Sequence, residues 1–338
     1  EYFVVIPVSG AARIEIASGI RMVPVPCGSS NFDKLWFEQI LFPRAGRALN
    51  ADLAHVPYWA PPLASPAPVV VTIHDLIPRL LPEYRGGPRV RLYTALVSAA
   101  TPGAAAVLAD SEAARQDILR EFKLPRHKVR AVYLAADARY SAQGDPALDE
   151  AVKQKYGLPD GYVLYLGGFD ARKNVRALLS AWTWAAGSVG ESYPLVLAGQ
   201  LPRPDGRLFD DFPRIAQELG VAETVRFIGP VDEADKPALY RGAAAFAYPS
   251  RYEGFGLPPL EAMACGAPVV AGNGGSLPEV IGNAGYLISP DDTRAFGAAI
   301  LTCLVEPAVA ESLRERGLAQ AKRFSWEKTA RETLAAYE

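Results

Sequence analysis

The amino-acid sequence predicts an α/β protein in which parallel sheets are covered by helices. Three observations support this prediction: short unbroken apolar runs, amphipathic stretches of about 10–15 residues between them, and Gly, Asp or Pro where several runs end. Runs this short and continuous indicate strands buried on both faces. Their alternation with helical stretches is typical of βαβ units in a parallel sheet.

The apolar runs that predict strands occur along the whole chain. In the first half they are Tyr2–Ile6, Ile20–Val25, Leu53–Val56, Val69–Ile73, Ala104–Ala109 and Val129–Leu134. In the second half they are Tyr162–Leu166, Pro194–Ala198, Val225–Ile228, Ala243–Tyr248 and Pro268–Ala271. No coiled-coil heptad, solenoid repeat or low-complexity tract accompanies them.

The length of 338 residues predicts two domains of roughly 150 residues each. The boundary is predicted within Tyr140–Asp160, a polar stretch with Gly and Pro at both ends that precedes a strong strand. We therefore expect a first domain over 1–155, a second over 156–325 and a C-terminal helix over 326–338. The first half is net positive and the second net negative, although the overall charge is only −2.

Composition excludes several classes of protein. A net charge of −2 argues against bulk electrostatic binding of nucleic acid. No run approaches the ~20 apolar residues of a membrane span. Cys27, Cys265 and Cys303 form no C-x-x-C pair and are too few for a disulfide framework. With no signal-peptide pattern at the start, these features favour a cytoplasmic protein.

The loop after Tyr162–Leu166 has the composition of a phosphate site. The strand leads through Gly167 and Gly168 to Arg172 and Lys173, and a helix follows. Glycines let a backbone approach a ligand closely, a helix N-terminus attracts anions, and two cations suit a diphosphate. The loop contains neither a Walker motif nor a complete G-x-G-x-x-G. The alternative is an ordinary βα loop with a solvated Arg-Lys pair.

The loop after Ala243–Tyr248 carries two carboxylates. Glu253 lies in the loop, and Pro258-Pro259 suit the first turn of a helix, in which we also expect Glu261. Carboxylates accept hydrogen bonds from the paired hydroxyls of a ribose or hexose, and loop amides bind sugar hydroxyls or phosphate oxygens. These amides are those of Gly254, Phe255, Gly256 and Leu257. The alternative is that Glu261 only interacts with the helix dipole and Glu253 is a solvated loop residue.

A third candidate is His74, which ends the predicted strand Val69–Ile73 and precedes Asp75. The carboxyl end of a parallel strand is where open α/β sheets bind ligands, so this His is a candidate hydrogen-bonding or acid/base group. A lone His at a strand end is more often structural.

The motifs together resemble a known family. Glu253 and Glu261 form E-x7-E within S-R-Y-E-G-F-G-L-P-P-L-E-A-M-A-C-G-A-P-V-V, which follows L-Y-L-G-G-F-D-A-R-K-N. I-H-D, R-F-I-G-P-V, G-G-S-L-P-E-V and F-S-W are also present. This set resembles the retaining nucleotide-sugar glycosyltransferases of the GT-B fold, glycosyltransferase family four, most strongly in 160–330. The resemblance implies two Rossmann-like domains facing across a cleft, with a C-terminal helix that returns to the first.

The resemblance also implies roles for the candidate residues. Arg172 and Lys173 hold the donor diphosphate, Glu261 binds the ribose hydroxyls, and Glu253 with the Gly254–Leu257 amides holds the transferred sugar. His74 faces that sugar from the other domain. Many relatives place an Arg directly after the first loop glycine, where this chain has Gly168, so Arg172 must supply the second cation. The remaining donor-binding positions are Gly167, Gly168, Phe227, Ile228 and Gly229.

The predicted reaction is glycosyl transfer from a nucleoside diphosphate sugar with retention at the anomeric carbon. The chain contains no D-x-D, so neither a metal nor another cofactor is expected. No residue is a convincing covalent nucleophile, which favours a front-face displacement in which the leaving phosphate takes the acceptor's proton. The alternatives are a GT-B-like nucleotide-sugar epimerase or phosphorylase, and a non-catalytic nucleotide-sugar-binding protein.

The first half bears on the donor and the acceptor. Leu35–Pro43 and Leu53–Pro57 resemble bacterial mannosyltransferases of polysaccharide assembly, which makes GDP-mannose the first expectation and leaves a UDP-sugar open. A basic cluster suits a lipid-linked saccharide and peripheral contact with the inner face of the membrane, while a soluble glycan is equally allowed. The cluster comprises Arg79, Arg85, Arg89 and Arg91. Relatives begin with a further strand and a Gly-rich loop, which we expect to be missing before Tyr2.

Overall fold

The computed structural model describes residues 1–8 and 18–338. Tertiary contacts divide the chain into two units. The first unit comprises Glu1–Asp110, Ala114–Val132 and Glu332–Glu338, and the second comprises Ser111–Ala113 and Tyr133–Arg331.

The first unit contains two parallel sheets. A two-stranded sheet pairs β1 with β2, and a four-stranded sheet has the order β3-β4-β5-β6. Its core is built on the four-stranded sheet, where Val71, Ile73, Val107 and Ala109 are fully buried. The strands are β1 (Tyr2–Pro7), β2 (Ile20–Val25), β3 (Ala54–Val56), β4 (Val69–Ile73), β5 (Ala106–Ala109) and β6 (Val129–Ala131).

Helices of the first unit connect these strands. A π-helical turn at Phe37–Leu41 joins α1 to α2, and the first two residues of α5 belong to the second unit. The helices are α1 (Asn31–Trp36), α2 (Phe42–Ala48), α3 (Ile77–Leu80), α4 (Pro88–Ala100) and α5 (Glu112–Phe122).

The first unit corrects one expectation about burial. Side chains of β1 and β2 are mostly half-buried or exposed, and in β1 only Ile6 is buried, so the prediction of strands buried on both faces is wrong here. The physical reason is that the two strands form a separate small sheet. A mainly apolar cavity of about 580 Å³ is lined by residues of both β1 and β3. The expected further strand before Tyr2 stays a prediction.

The second unit is built on a six-stranded parallel sheet of order β12-β11-β10-β7-β8-β9. Its core contains the fully buried rings of Tyr165, Trp182, Tyr240, Phe246 and Tyr248. The strands are β7 (Tyr162–Leu166), β8 (Leu195–Ala198), β9 (Val225–Gly229), β10 (Ala243–Tyr248), β11 (Val269–Gly272) and β12 (Gly285–Ile288).

Nine helices assigned in the described residues complete this part of the chain. They are α6 (Pro146–Lys155), α7 (Val175–Val189), α8 (Phe212–Glu218), α9 (Lys236–Gly242), α10 (Leu257–Ala264), α11 (Leu277–Ile281), α12 (Thr293–Val305), α13 (Pro307–Ala321) and α14 (Trp326–Leu334).

The predicted α/β fold with parallel sheets is confirmed, and each apolar run contains a strand. The sequence prediction missed β12, because four partly exposed residues at the edge of a sheet give only a weak apolar run. In the second sheet the strand order reverses direction between β7 and β10, so the loops that follow these two strands leave the same sheet edge at a topological switch point.

The division into units falls at Val132/Tyr133, before the 155/156 boundary predicted from composition. Helix α6 lies with the second unit, where Val152 packs against the core and ion pairs join the helix to α9 and its N-cap. Arg241 Nη2 lies 2.5 Å from Asp149 Oδ1, and Lys155 Nζ lies 2.6 Å from Asp235 Oδ2. At the other end of the chain, residues 326–331 belong to the second unit and the last seven to the first.

No single helix in 1–8 and 18–338 is long and apolar enough to cross a membrane. The helical segments Thr293–Val305 and Pro307–Leu334 have the length and apolar composition of a span only when taken together, and a bend of 99° separates them.

Candidate functional site

Three predicted site residues meet at the switch point of the second sheet. Arg172 and Lys173 follow β7, and Glu253 follows β10. Arg172 Nη1 lies 2.7 Å from Glu253 Oε2, and Lys173 Nζ lies 2.7 Å from Glu253 Oε1. The structure therefore brings two cations together on one carboxylate, at the position where open α/β sheets bind ligands.

Backbone geometry holds the two loops against each other. The Arg251 N–H donates to the Arg172 carbonyl at 2.9 Å. Asn174 adopts a left-handed conformation with φ 57°, and its side chain donates to the Pro290 carbonyl at 2.7 Å and to the Pro249 carbonyl at 3.4 Å. Since Asn tolerates this conformation better than most residues, it ends the turn that carries the two cations and starts α7.

Glu253 is buried, with 8% of its surface exposed, and its carboxylate has further donors. Ser250 Oγ donates to Oε1 at 2.6 Å, and the Tyr248 hydroxyl donates to the same atom at 3.0 Å. Burial by itself raises the pKa of Glu253, but the charges of Lys173 and Arg172 outweigh it and lower the pKa below its ordinary value. The carboxylate is thus held ionised between the cations.

The G-G-S motif after β11 positions this loop. The Ser276 N–H and hydroxyl donate to the Glu253 carbonyl at 3.1 and 3.0 Å. Gly275 has φ +59°, and a Cβ there would lie 2.4 Å from the Glu253 carbonyl oxygen. Only glycine permits both the conformation and the approach, so the motif seats Glu253 against the two cations.

Lys173 lies in a mostly dehydrated environment, with 12% of its side chain exposed. Burial lowers the pKa of its ammonium group, while the charge of Glu253 acts in the opposite direction. Its Nζ also donates to the Tyr248 hydroxyl at 2.5 Å. Burial and the Glu253 charge raise the pKa of Tyr248, so the phenol keeps its proton.

Sequence reasoning missed Tyr248 and Ser250. The available signal was their position at and just after the carboxyl end of β10, two and four positions after the buried Phe246. Both carry hydroxyl groups in an otherwise apolar setting, and both donate a hydrogen bond to the Glu253 carboxylate.

Glu261 lies on α10, in its second turn and not in the first turn where it was predicted. The helix starts one residue after Gly256, which has φ +109°. Glu261 Oε2 accepts a hydrogen bond from the Tyr240 hydroxyl at 2.9 Å. Partial burial raises the pKa of Glu261. The carboxyl group thus bonds to a buried phenol, whereas Arg172 and Lys173 form their ion pairs with Glu253.

The remaining donor positions lie in the same unit. Gly167 and Gly168 follow β7, with Gly168 exposed, and the Gly167 N–H donates to the Ala198 carbonyl at 3.1 Å. Positions 227–229 end β9, the edge strand two positions from β7. In the loop before α10, the residues at 254–256 are buried, and the Ser111 hydroxyl donates to the Gly254 carbonyl at 2.6 Å. Donor binding by Phe227, Ile228, Gly229, Gly254, Phe255, Gly256 and Leu257 stays a prediction.

His74 ends β4 in the first unit, so the structure places it in a different unit from Arg172, Lys173 and Glu253. Its Nδ1 lies 2.7 Å from Asp110 Oδ2, and its Nε2 lies 3.0 Å from the Pro57 carbonyl. Both partners are acceptors, so the doubly protonated imidazolium satisfies both contacts. The hydrogen bond to Asp110 raises the pKa of His74 in spite of partial burial. Its role toward the sugar stays a prediction.

Sequence reasoning also missed Asp110. It directly follows β5, the neighbour of β4, so a polar residue at that strand end was the available signal. In the described part of the chain, no group of three or more His, Cys, Asp or Glu side chains is arranged to hold a metal ion.

Comparison with known proteins gives two family matches. Residues 149–320 match the family described as glycosyl transferases group 1, and residues 3–140 match glycosyltransferase family 4. O-antigen chain mannosyltransferase B of Escherichia coli is 40% identical over 270 residues, which cover 80% of this chain and 70% of that protein. The serotype-specific mannosyltransferase WbdA of the same organism is 34% identical over 268 residues, or 78% of this chain and 32% of that protein.

Solved structures share the fold. Sucrose-phosphate synthase from Thermosynechococcus elongatus superposes with a TM-score of 0.73 at 25% identity, covering 96% of this chain and 84% of that one. The fold is therefore shared with that solved structure over nearly the whole of this chain.

Proposed function

The chain belongs to the family 4 glycosyltransferases, which have the GT-B fold, and from this premise we propose that it transfers mannose from GDP-mannose to a saccharide or lipid-linked acceptor with retention of configuration. The observation that carries the proposal is the pair of cations, Arg172 and Lys173, held on Glu253 at the switch point. The choice of mannose rests on the two mannosyltransferases that the chain resembles over about four fifths of its length.

The cation pair supports binding of the donor diphosphate. Both side chains are only 12% exposed, so their charges act through a medium of lower effective dielectric constant than water. Charge that develops on a leaving diphosphate is stabilised most strongly by donors that are already in place. Glu253 keeps them in place before a donor arrives.

The same cluster supports a front-face mechanism. The bond between the anomeric carbon and the β-phosphate oxygen breaks, and the acceptor hydroxyl oxygen bonds to that carbon on the same face. The hydroxyl proton passes to the departing phosphate oxygen. Both oxygens of Glu253 already contact cations, an arrangement that does not favour this carboxylate as a covalent nucleophile. Arg172 and Lys173 supply the positive charge that a metal would otherwise provide, so we propose metal-independent transfer.

The first test is a panel of nucleotide sugars measured by thermal unfolding, followed by turnover with and without acceptor. A donor at 100 times its Kd stabilises the folded chain by about 2.7 kcal/mol, and we expect GDP-mannose to give the largest shift in Tm. Consumption of donor only when acceptor is present supports transfer. Equal loss without acceptor indicates an epimerase or a hydrolase, and binding without turnover indicates a nucleotide-sugar-binding protein.

Glu261→Gln tests the proposed contact with the ribose. We expect kcat/KM for the ribonucleotide donor to fall about tenfold, because a hydrogen bond to a charged group is replaced by one to a neutral group. The 2′,3′-dideoxy donor should be used equally well by both enzymes, since it lacks the hydroxyls concerned. A loss of the same size with both donors would contradict the assignment and indicate a structural role for Glu261. Glu218→Gln, at an exposed glutamate on α8, is the matched control.

We further propose that the protein works in the cytoplasm, with its first unit at the inner face of the membrane. Arg85, Arg89 and Arg91 are exposed side chains in and just before the first turn of α4, and they suit an anionic surface. A lipid-linked saccharide is the acceptor that fits this placement.

A further inference from the structure

A second cluster of guanidinium groups lines a separate cavity within the first unit. The cavity is open to solvent, has a volume of about 360 Å³ and lies between α3, α4 and the end of α5. Its lining comprises Pro78, Arg79, Arg85, Arg91, Thr94, Ala95 and Glu121. We refer to it as the arginine pocket.

The charges of the arginine pocket do not balance. Arg79 is anchored: its Nε and Nη2 donate to Glu121 Oε2 at 3.2 and 3.1 Å, and its Nη1 donates to Ser98 Oγ at 3.2 Å. Glu121 is the one carboxylate in the lining, against three guanidinium groups. Within 1–8 and 18–338, no acidic side chain forms an ion pair with Arg85 or Arg91.

Two features place the other arginines at the pocket. Arg91 Nε donates to the Gly86 carbonyl at 3.2 Å, which uses one of the five N–H donors of its guanidinium and fixes its plane against the turn. Gly86 has φ +64°, which makes the turn tight. Arg85 directly precedes Gly86 and so lies in the same turn. Helix α4 begins at Pro88, so the positive end of its dipole lies beside the same turn.

We propose that the arginine pocket binds a phosphate or diphosphate group, at a site separate from the predicted donor site. The formal excess of two positive charges matches a dianion, and guanidinium groups bind phosphate oxygens through paired hydrogen bonds. The volume corresponds to about twelve water molecules at ~30 Å³ each, which is more than one phosphate needs and leaves room for part of its substituent. The inference does not depend on the proposed transfer reaction.

The test uses the full chain with Arg172→Gln and Lys173→Gln, so that the cation pair of the second unit no longer binds the probe. Titration calorimetry with inorganic pyrophosphate is expected to show binding to this background. Adding Arg85→Gln and Arg91→Gln should weaken the binding about tenfold or more. Adding Arg44→Gln and Arg47→Gln, which remove the same charge from exposed positions on α2, should change the pyrophosphate affinity less than about twofold.

The source of the phosphate is distinguished by a second arm. Vesicles of phosphatidylcholine with phosphatidic acid are sedimented with the background and with both sets of arginine variants, and vesicles of phosphatidylcholine alone serve as blank. Binding to pyrophosphate and to the acidic vesicles, lost only with Arg85 and Arg91, indicates a lipid phosphate. Binding to pyrophosphate alone indicates a soluble phosphate ester. Absence of pyrophosphate binding by the background, once a cooperative thermal transition has shown it to be folded, overturns the proposal, as does equal weakening by the Arg44 and Arg47 changes.

Discussion

Replacing Lys173 by alanine is expected to lower kcat at least ~100-fold, equivalent to about 2.7 kcal/mol of transition-state stabilisation. The Lys173 side chain is 12% exposed, so little water can replace its charge when the diphosphate leaves. Its Nζ lies 2.7 Å from Glu253 Oε1, so the ammonium group is held at the carboxylate before the donor binds. Because the charge on the leaving group grows only as the bond breaks, kcat should fall more than KM rises.

The measurement is steady-state turnover of the donor identified by the thermal-shift panel. Lys173→Met retains the apolar stem without the charge and should show the same loss, which separates charge from packing. Lys153→Ala is the matched control, since Lys153 forms ion pairs with Glu150 and Asp160 at the edge of the same unit. Turnover within a few-fold of the parent in Lys173→Met would reject the diphosphate role.

Replacing Glu253 by glutamine is expected to lower the free energy of unfolding by about 3–5 kcal/mol, because two buried cations lose their carboxylate. The amide nitrogen would also face one of the two cations at hydrogen-bonding distance. The effect is measured by denaturant unfolding. Glu261→Gln is the control, since its carboxyl group bonds to the Tyr240 phenol and lies outside the cation pair.

The Glu253 variant has a second, more specific readout. A nucleoside diphosphate entering between Arg172 and Lys173 would replace the lost negative charge, so GDP should raise the Tm of Glu253→Gln by more than it raises the Tm of the parent. An equal or smaller shift would show that the cations do not face the diphosphate. A change in unfolding free energy below about 1 kcal/mol would show that Glu253 does not hold them.

The difference in unfolding free energy between the parent and Glu253→Gln should depend on pH in a defined direction. The folded-state pKa of Glu253 is lowered from 4.5, so the carboxylate contributes its stabilisation above that value and loses it as the pH falls through the lower folded-state pKa. The gap in unfolding free energy between the parent and Glu253→Gln should therefore be full at neutral pH and shrink in acid.

Much of the fold and of the site could be predicted because the relevant signals are local. Runs such as Val69–Ile73 and Tyr162–Leu166 are apolar at every or nearly every position, and the structure makes both of them strands. The end of β7 was indicated by the glycines before Arg172 and Lys173. The end of β10 was indicated by the loop before Glu261. Since parallel strands end at one sheet edge, the candidate residues of the second half could be assigned to that edge before any coordinates.

Other features could not be predicted because they depend on contacts between distant segments. Helix α6 belongs with the second unit, where Asp149 pairs with Arg241, 92 residues away in the chain. Strand β12 is held in the sheet by parallel pairing with β11, which its own sequence does not reveal. The prediction for Glu261 failed for a local reason instead: α10 starts at Leu257, so its first turn is complete before residue 261.

By itself, the sequence determined the α/β class, the order of strands along the chain, and the family, because apolar periodicity and the order of motifs are properties of the linear chain. Only the tertiary structure decided which strands lie side by side, and with that the meeting of the β7 and β10 loops. It also decided that Glu253 faces Arg172 and Lys173 together with Tyr248 and Ser250. The physical reason is that a charged side chain can be buried only where the fold brings a partner within hydrogen-bond distance. Here the partners Lys173 and Glu253 come from loops about 80 residues apart.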